Sequence, residues 1–270
     1  MKYRFNWNFP IAFSKHDSSK LYTYSNHVHL STDEGHSWET ISPDLTRNDK
    51  SKLVSSGGPI TQDNTGVEYY ATIFAVDESP LQEGLIWVGS DDGLIHLTKD
   101  GGATWENVTP KKMPDWMMIN SIDASSFDSG TAYIAGTRYK LGDFTPYLYV
   151  TDDYGKNWKP ITDGIKDEHF TRVLRSDKVN KNILYAGTET GMYISYDRGN
   201  SWNEFQKNLP IVPITDLTIK DNSLIVATQG RSIWMIDDLT VFHQLTPSTD
   251  QMKLYKPKDS YRMGGAGGRK

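Results

Sequence analysis

Ser31-Thr-Asp-Glu-Gly-His-Ser-Trp38, Thr98-Lys-Asp-Gly-Gly-Ala-Thr-Trp105, Thr151-Asp-Asp-Tyr-Gly-Lys-Asn-Trp158 and Ser195-Tyr-Asp-Arg-Gly-Asn-Ser-Trp202 are four copies of one pattern, Ser/Thr-x-Asp-x-Gly-x-x-Trp. An apolar-aromatic run precedes each copy and a short polar, strand-like stretch follows it. A repeated unit of this size fixes architecture before any single residue is interpreted. It says little about chemistry, because four equivalent copies in four hairpins cannot all be one active site.

The carboxylates Asp33, Asp100, Asp153 and Asp197 can accept hydrogen bonds from backbone amides one or two residues on, and so close tight turns. Gly35, Gly102, Gly155 and Gly199 supply the positive φ such turns need. Trp38, Trp105, Trp158 and Trp202 open the next strand and are expected to pack back across the turn. Burial of one such ring is worth roughly 4–6 kcal/mol at most by area. The box therefore reads as structural.

Composition fits a folded β protein. With 270 residues and 12% aromatics, the chain can bury a core, and no 18-residue apolar stretch offers a membrane span. A net charge of −5 argues against a nucleic-acid partner, which needs a basic face. Zero cysteines exclude disulfides, thiol catalysis and zinc-thiolate sites.

The box resembles that of the Asp-box, or bacterial neuraminidase repeat, β-propellers. These include sialidases, xyloglucan-cleaving glycosidases, sortilin-type receptors and the photosystem II assembly factor. The resemblance is nearest to large bacterial sortilin-like proteins labelled as glycosyl hydrolases. It is carried by Phe5-Asn-Trp-Asn-Phe-Pro10, Ser42-Pro-Asp-Leu-Thr46, Gly84-Leu-Ile-Trp-Val-Gly-Ser-Asp-Asp-Gly93 and Gly230-Arg-Ser-Ile-Trp-Met-Ile-Asp-Asp-Leu239. It implies an all-β propeller of four-stranded antiparallel blades, and a secreted or periplasmic setting. The absence of cysteine departs from sortilin-type receptors, whose propellers precede disulfide-rich modules. The sialidase Arg-Ile-Pro motif does not occur, and Arg138 and Arg231 alone do not make an arginine triad.

Aligned on the boxes, the middle strands read Leu21–Tyr24, Ile86–Gly89, Ala132–Ala135, Leu184–Gly187 and Leu224–Ala227. The third strands read Val28–Leu30, Ile95–Leu97, Leu148–Val150, Met192–Ile194 and Trp234–Ile236. The box aspartates are spaced 67, 53 and 44 residues apart. The last step is that of a four-stranded blade of roughly 40–45 residues. The longer steps carry insertions at 43–66, 111–116 and 138–146. Five blades are expected, at about 1–42, 66–110, 117–162, 169–208 and 213–247, within a propeller spanning 1–262. The fifth keeps Asp238 but lacks the Gly and Trp of the box. The segment at 1–8 lacks an apolar run long enough for a signal peptide, and 263–270 reads as a flexible Gly-rich tail. Both ends suggest a segment of a longer chain, with further blades missing and the five forming an arc of a larger ring.

Functional groups are expected on the turns that face the propeller axis. Those turns carry Asp91, Asp92, Arg138, Tyr139, Phe144, Glu189, Gln229 and Arg231, with Glu68 and Tyr69 opening the second blade. The expected role is a non-enzymatic platform for protein, peptide or glycan. The alternative is a glycosidase using two of Asp91, Asp92 and Glu189, since that chemistry needs paired carboxylates about 5–9.5 Å apart. Asp91-Asp92-Gly93 lacks the later ligands of a calcium loop and reads as an Asp-Gly hairpin turn. His29 and His96 hold equivalent repeat positions filled elsewhere by aromatics, and read as packing residues. No metal or cofactor is expected.

Overall fold

The structure, a computed structural model, describes residues 3–63, 65, 68–245 and 254–261; the expected Gly-rich tail at 263–270 lies outside these. Five antiparallel sheets follow one another along the chain. The first comprises β1 (Ile11–Phe13), β2 (Leu21–Tyr24), β3 (Val28–Ser31) and β4 (Glu39–Thr40). The second comprises β5 (Ile73–Glu78), β6 (Ile86–Ser90), β7 (Ile95–Thr98) and β8 (Glu106–Asn107). The third is β9 (Met118–Ala124), β10 (Ala132–Arg138), β11 (Asp143–Thr151) and β12 (Lys159–Pro160). The fourth is β13 (Thr171–Ser176), β14 (Leu184–Thr188), β15 (Gly191–Ser195) and β16 (Asn203–Glu204). The fifth has three strands, β17 (Ile214–Lys220), β18 (Ser223–Thr228) and β19 (Ile233–Ile236), followed by a one-turn helix α1 (Thr240–His243). Each sheet is a meander in sequence order, so each is one blade, and every expected middle and third strand falls on an observed one.

The fifth blade departs from the expected four strands. Without a box Trp to start an outer strand, the chain after β19 turns into α1. Asp238 accepts from the Thr240 amide and from Asn222 Nδ2, both at 3.0 Å. Phe242 then meets Phe205 of the fourth blade edge-on at 5.4 Å between ring centroids.

All four boxes close by the same hydrogen bonds, and these differ from the expected ones. The first hydroxyl (Ser31, Thr98, Thr151, Ser195) donates to one carboxylate oxygen at 2.8–2.9 Å and accepts from the box glycine amide at 2.8–2.9 Å. The aspartate accepts not from a neighbouring amide but from the amide four residues on, that of Ser37, Thr104, Asn157 or Ser201. The side chain of that same residue donates to the second oxygen. These donors hold Asp33 and Asp100 at a pKa of about 2 and lower Asp153 as well. For Asp197, partial burial works upward, but the Ser201 and Ser195 bonds outweigh it and lower the pKa. The box carboxylates are thus fixed anions within turns.

Of the four tryptophans only Trp38 folds back over its own hairpin as expected, its Nε1 donating to the Gly35 carbonyl at 3.1 Å; the other three do not. Trp105 Nε1 donates to the Ile41 carbonyl at 2.9 Å, Trp158 to Val108 at 2.7 Å and Trp202 to Ile161 at 2.7 Å. Each acceptor belongs to the preceding blade and lies three residues after that blade's own box Trp. The box glycines serve the same junction. A Cβ on Gly155 would stand 2.6 Å from Val108 Cβ, and one on Gly199 2.8 Å from Ile161 Cδ1. Buried apolar clusters fill each of the four junctions, for example Leu85, Trp87, Ile119 and Ile134 between blades two and three. On the inner side, Asp77 accepts from the Ala124 amide at 2.8 Å and Asp123 from the Ser176 amide at 2.9 Å, so carboxylates stitch successive blades nearest the axis.

The outer faces of the arc are different. Ile11 and Phe13 of the first blade and Ile233 and Met235 of the fifth are exposed. No closed sheet or first-to-fifth blade packing joins the ends among the described residues.

Candidate functional site

The insertions that lengthen the early repeats come together. A cavity of about 370 Å³ is lined by Lys52 from the first, Trp116 from the second, and Arg138, Tyr139, Lys140 and Leu141 from the third. Tyr70, Asp91, Asn6, Met118 and Thr137 complete its wall. A wider cleft of about 870 Å³ lies between the outer strands of blades two and three, around Trp158 and Lys111. Another, of about 430 Å³, follows the inner strands past Arg172 and Arg175. Only the first combines buried polar groups, aromatic faces and loops that the blade itself does not need.

Its floor is the β6–β7 turn. Asp92 is fully buried and closes the turn, with Ser90 Oγ donating to one oxygen at 2.6 Å and the Arg47 amide to the other at 2.8 Å. The turn is therefore the expected Asp-Gly hairpin, with Gly93 at φ 92°. Asp91 is held from the other side. The Thr72 amide donates to it at 2.8 Å and Thr72 Oγ1 at 2.9 Å. Asp91 is only 6% exposed, and burial pushes its pKa up to about 7 against those two bonds. Burial also raises Asp92. Tyr70 beside them is pushed to about 12 by burial and by the charges of Asp91 and Asp92.

The rim is cationic and aromatic. Arg47 crosses from the first insertion, donating through Nε to the Asp92 carbonyl at 2.8 Å and pairing with Asp115 at 2.9 Å. Its guanidinium lies 5.0 Å from the Trp116 ring centre, and Lys52 Nζ lies 5.5 Å from it. Trp116 adopts φ 62°, a left-handed conformation unusual for a bulky residue and a form of strain that concentrates at functional sites. Arg138 pairs with Asp143 at 2.5 Å and donates to the Asp115 carbonyl, which pins the third insertion to the second. Tyr139 stacks on Phe170 at 5.2 Å, and Phe144 tilts against the same ring at 6.0 Å.

The sequence candidates separate accordingly. Asp91, Arg138 and Tyr139 line one cavity. Glu189 lies beside it, paired with Arg172 at 2.6 Å, and that arginine sits over the Tyr139 and Phe170 rings. Phe144 is half-exposed on the outside of this cluster. Gln229 and Arg231 are exposed on the fifth blade and line none of these cavities. Glu68 is exposed next to Asp63, which raises its pKa, and Tyr69 precedes the tyrosine that does line the wall. Lys52, Tyr70 and Trp116 escaped the sequence reading. The signal was available in the insertions themselves, since loops beyond the minimum of a fold tend to carry function.

His29 bonds Ser25 Oγ at 2.8 Å and Thr40 Oγ1 at 3.2 Å and packs against Tyr3, as an interior residue would. His96 is partly buried, and desolvation lowers its pKa to about 4.

The family model of sortilin, neurotensin receptor 3, matches residues 146–261. No curated protein matches the chain by sequence. The GH74 xyloglucanase of Xanthomonas campestris is similar in structure, with a TM-score of 0.62 and 17% identity over 85% of this chain and 36% of that one. An ancestral GH74 enzyme gives 0.60 and 17% over 83% of this chain and 28% of its own. The Cps50 β-propeller domain of Myceliophteria thermophila gives 0.60 and 12% over 86% of this chain and 65% of its own. The chain thus spans little more than a third of the xyloglucanase it resembles. At these identities the likeness to the solved structures is one of fold, a β-propeller, and residues 146–261 are similar to the sortilin family model.

Proposed function

We propose that the chain is a non-enzymatic binding platform whose ligand, a peptide, protein segment or glycan, enters the cavity between Asp91, Trp116 and Tyr139. The observation that carries this reading is the convergence of three separate insertions on one cavity, while the shortest repeat step carries none. Aromatic faces and cations positioned by bonds to one another are the groups that dominate recognition energetics.

A glycosidase would need a second carboxylate opposite Asp91. Among the residues lining the cavity Asp91 is the only one, Asp92 is sealed in its turn, and Glu189 is paired with Arg172. The observation on the other side is the pKa of Asp91 near 7, which suits a general acid. Both readings are tested together by titrating the protein with an array of neutral and acidic oligosaccharides and peptides, while assaying turnover of xyloglucan, β-glucan and sialosides. Binding that falls at least tenfold in Trp116→Ala and Tyr139→Ala, without turnover, supports the platform. Turnover that vanishes in Asp91→Asn with the fold intact overturns it.

A further inference from the structure

The chain enters the first blade through Arg4-Phe-Asn-Trp-Asn-Phe-Pro10, and Arg4 fixes the start of that segment. The Arg4 amide donates to Asn26 Oδ1 at 2.9 Å, and its guanidinium donates to the Ala71 carbonyl, Asp44 and Thr46 at 2.9–3.0 Å. Ala71 immediately precedes Thr72, whose amide and hydroxyl hold Asp91. The Phe9 amide returns to the Asn6 carbonyl at 3.2 Å and the Asn8 amide to Asn6 Oδ1 at 3.0 Å. The Phe5 and Phe9 rings meet edge-on at 5.3 Å and close the turn. Trp7 is its tip, 67% exposed, and its indole N–H has no partner among the described residues.

Asn6 lines the cavity at Asp91, whereas Asn8 and Pro10 line the cleft of about 430 Å³ along the inner strands, so Trp7 stands at their boundary. Two further contacts cross it. Thr137 of the cavity donates to Asn120 of the cleft at 2.7 Å, and the Arg172 guanidinium of the cleft lies 5.4 Å from the Tyr139 ring centre. We propose that cavity and cleft form one groove for a linear acidic oligosaccharide, with a uronate in the cavity and the next sugar stacked on Trp7. The inference deepens the platform reading and rests on it. An exposed indole offers a flat apolar face to the C–H side of a pyranose and an N–H to one of its hydroxyls. Charge selects an acid. Arg138, Arg172 and Arg175 have carboxylate partners in Asp143, Glu189 and Asp216, but Lys52 and Lys140 in the cavity wall have no ion pair among the described residues. A peptide fits less well, because an extended peptide docks on strand-edge amides and carbonyls that are free. Along the inner strands the Ala124 and Ser176 amides are taken by Asp77 and Asp123, and the Leu174 and Leu217 carbonyls by Arg175.

The test titrates oligomers of galacturonate, glucuronate and mannuronate, their methyl esters and an aspartate-rich peptide into the 270-residue protein by calorimetry. The same probes are titrated into Trp7→Ala and Trp116→Ala. At least one oligouronate is expected to bind, and more tightly than its methyl ester. Trp7→Ala should weaken it by about tenfold, the loss of one stacked aromatic, without lowering Tm. The corresponding monomer, too short to span cavity and turn, should bind parent and Trp7→Ala alike. In protein labelled with fluorotryptophan, the resonance assigned by Trp7→Phe should shift on adding the oligomer. An oligouronate lost in Trp116→Ala but bound normally by Trp7→Ala overturns the groove and leaves the platform standing. Equal affinity for acid and ester overturns the acidic class. Silence of every oligouronate overturns the proposal, and an aspartate-rich peptide that binds in their place assigns the groove to peptide.

Discussion

Truncating the four box tryptophans one at a time distinguishes a residue that closes its own hairpin from one that fastens two blades. Trp202 is the most deeply set, 4% exposed against Tyr133, Leu148 and Leu174 of the third and fourth blades. Replacing it by Ala removes a buried aromatic side chain, which costs about 3–5 kcal/mol. It also strands the Ile161 carbonyl, now without its 2.7 Å donor, for about 1–3 kcal/mol more where water does not refill the site. Trp38 loses neither, since its ring is 43% exposed and its bond is to its own turn. Its removal falls near the range of about ±0.5 kcal/mol usual for surface changes. Trp105 and Trp158, partly buried and each bonded to the preceding blade, fall between. Urea unfolding followed by far-ultraviolet circular dichroism gives the four midpoints without relying on the fluorescence of the residues removed. At about 2–4 °C per kcal/mol for chains of this size, Trp202→Ala lowers Tm by on the order of 10 °C or more. Equal losses at Trp38 and Trp202 would refute the reasoning, because they would mean that each ring stabilises its own turn.

Gly155→Ala is expected to cost more than about 1 kcal/mol, since φ is 80° and the new methyl would meet Val108 at 2.6 Å. Adding Val108→Ala should return part of that loss, and strictly additive urea midpoints would deny the contact. Asp91→Asn should stabilise the protein increasingly as pH rises from about 4 to 7 and then level off. The folded pKa near 7 exceeds the unfolded value of about 3.9, so the stability its proton confers is complete below pH 4 and is lost as pH rises through 7. The ceiling is roughly 4 kcal/mol at 1.36 kcal/mol per unit, and a pH-independent difference between variant and parent would sink the assignment. Trp116→Ala should abolish ligand binding while leaving Tm within about 2 °C, because its ring lies on the cavity wall outside the four junction cores; a large fall in Tm would make it a core residue instead.

What the sequence disclosed was what is local. A box holds all its turn donors and acceptors within eight residues, so Asp33 and its three counterparts announce themselves, as do the apolar strands that precede them. Even there the reading stopped short. Ser37, Thr104, Asn157 and Ser201 all carry side-chain donors just before the Trp, and they supply the second half of each turn. The junction rule was harder to see, because Ile41 and Trp105 are 64 residues apart and meet only once two blades are stacked. The site divided along the same line. Asp91, Arg138 and Tyr139 sit on turns that repeat register places near the axis. Lys52 and Trp116 reach the cavity from insertions whose paths no register specifies.

Because the indoles of Trp105, Trp158 and Trp202 each find their acceptor in the blade synthesised before them, the arc has a direction. A ribosome releasing this chain exposes Ile41 before Trp105, Val108 before Trp158 and Ile161 before Trp202. At these three contacts each newly emerged ring meets a carbonyl already held in a finished sheet, and none has to wait for a segment still inside the exit tunnel. Such an order favours stepwise growth over collapse of the whole chain at once. Reversing the order of two blades by gene rearrangement would keep every box intact and still leave rings facing outer strands that arrive after them.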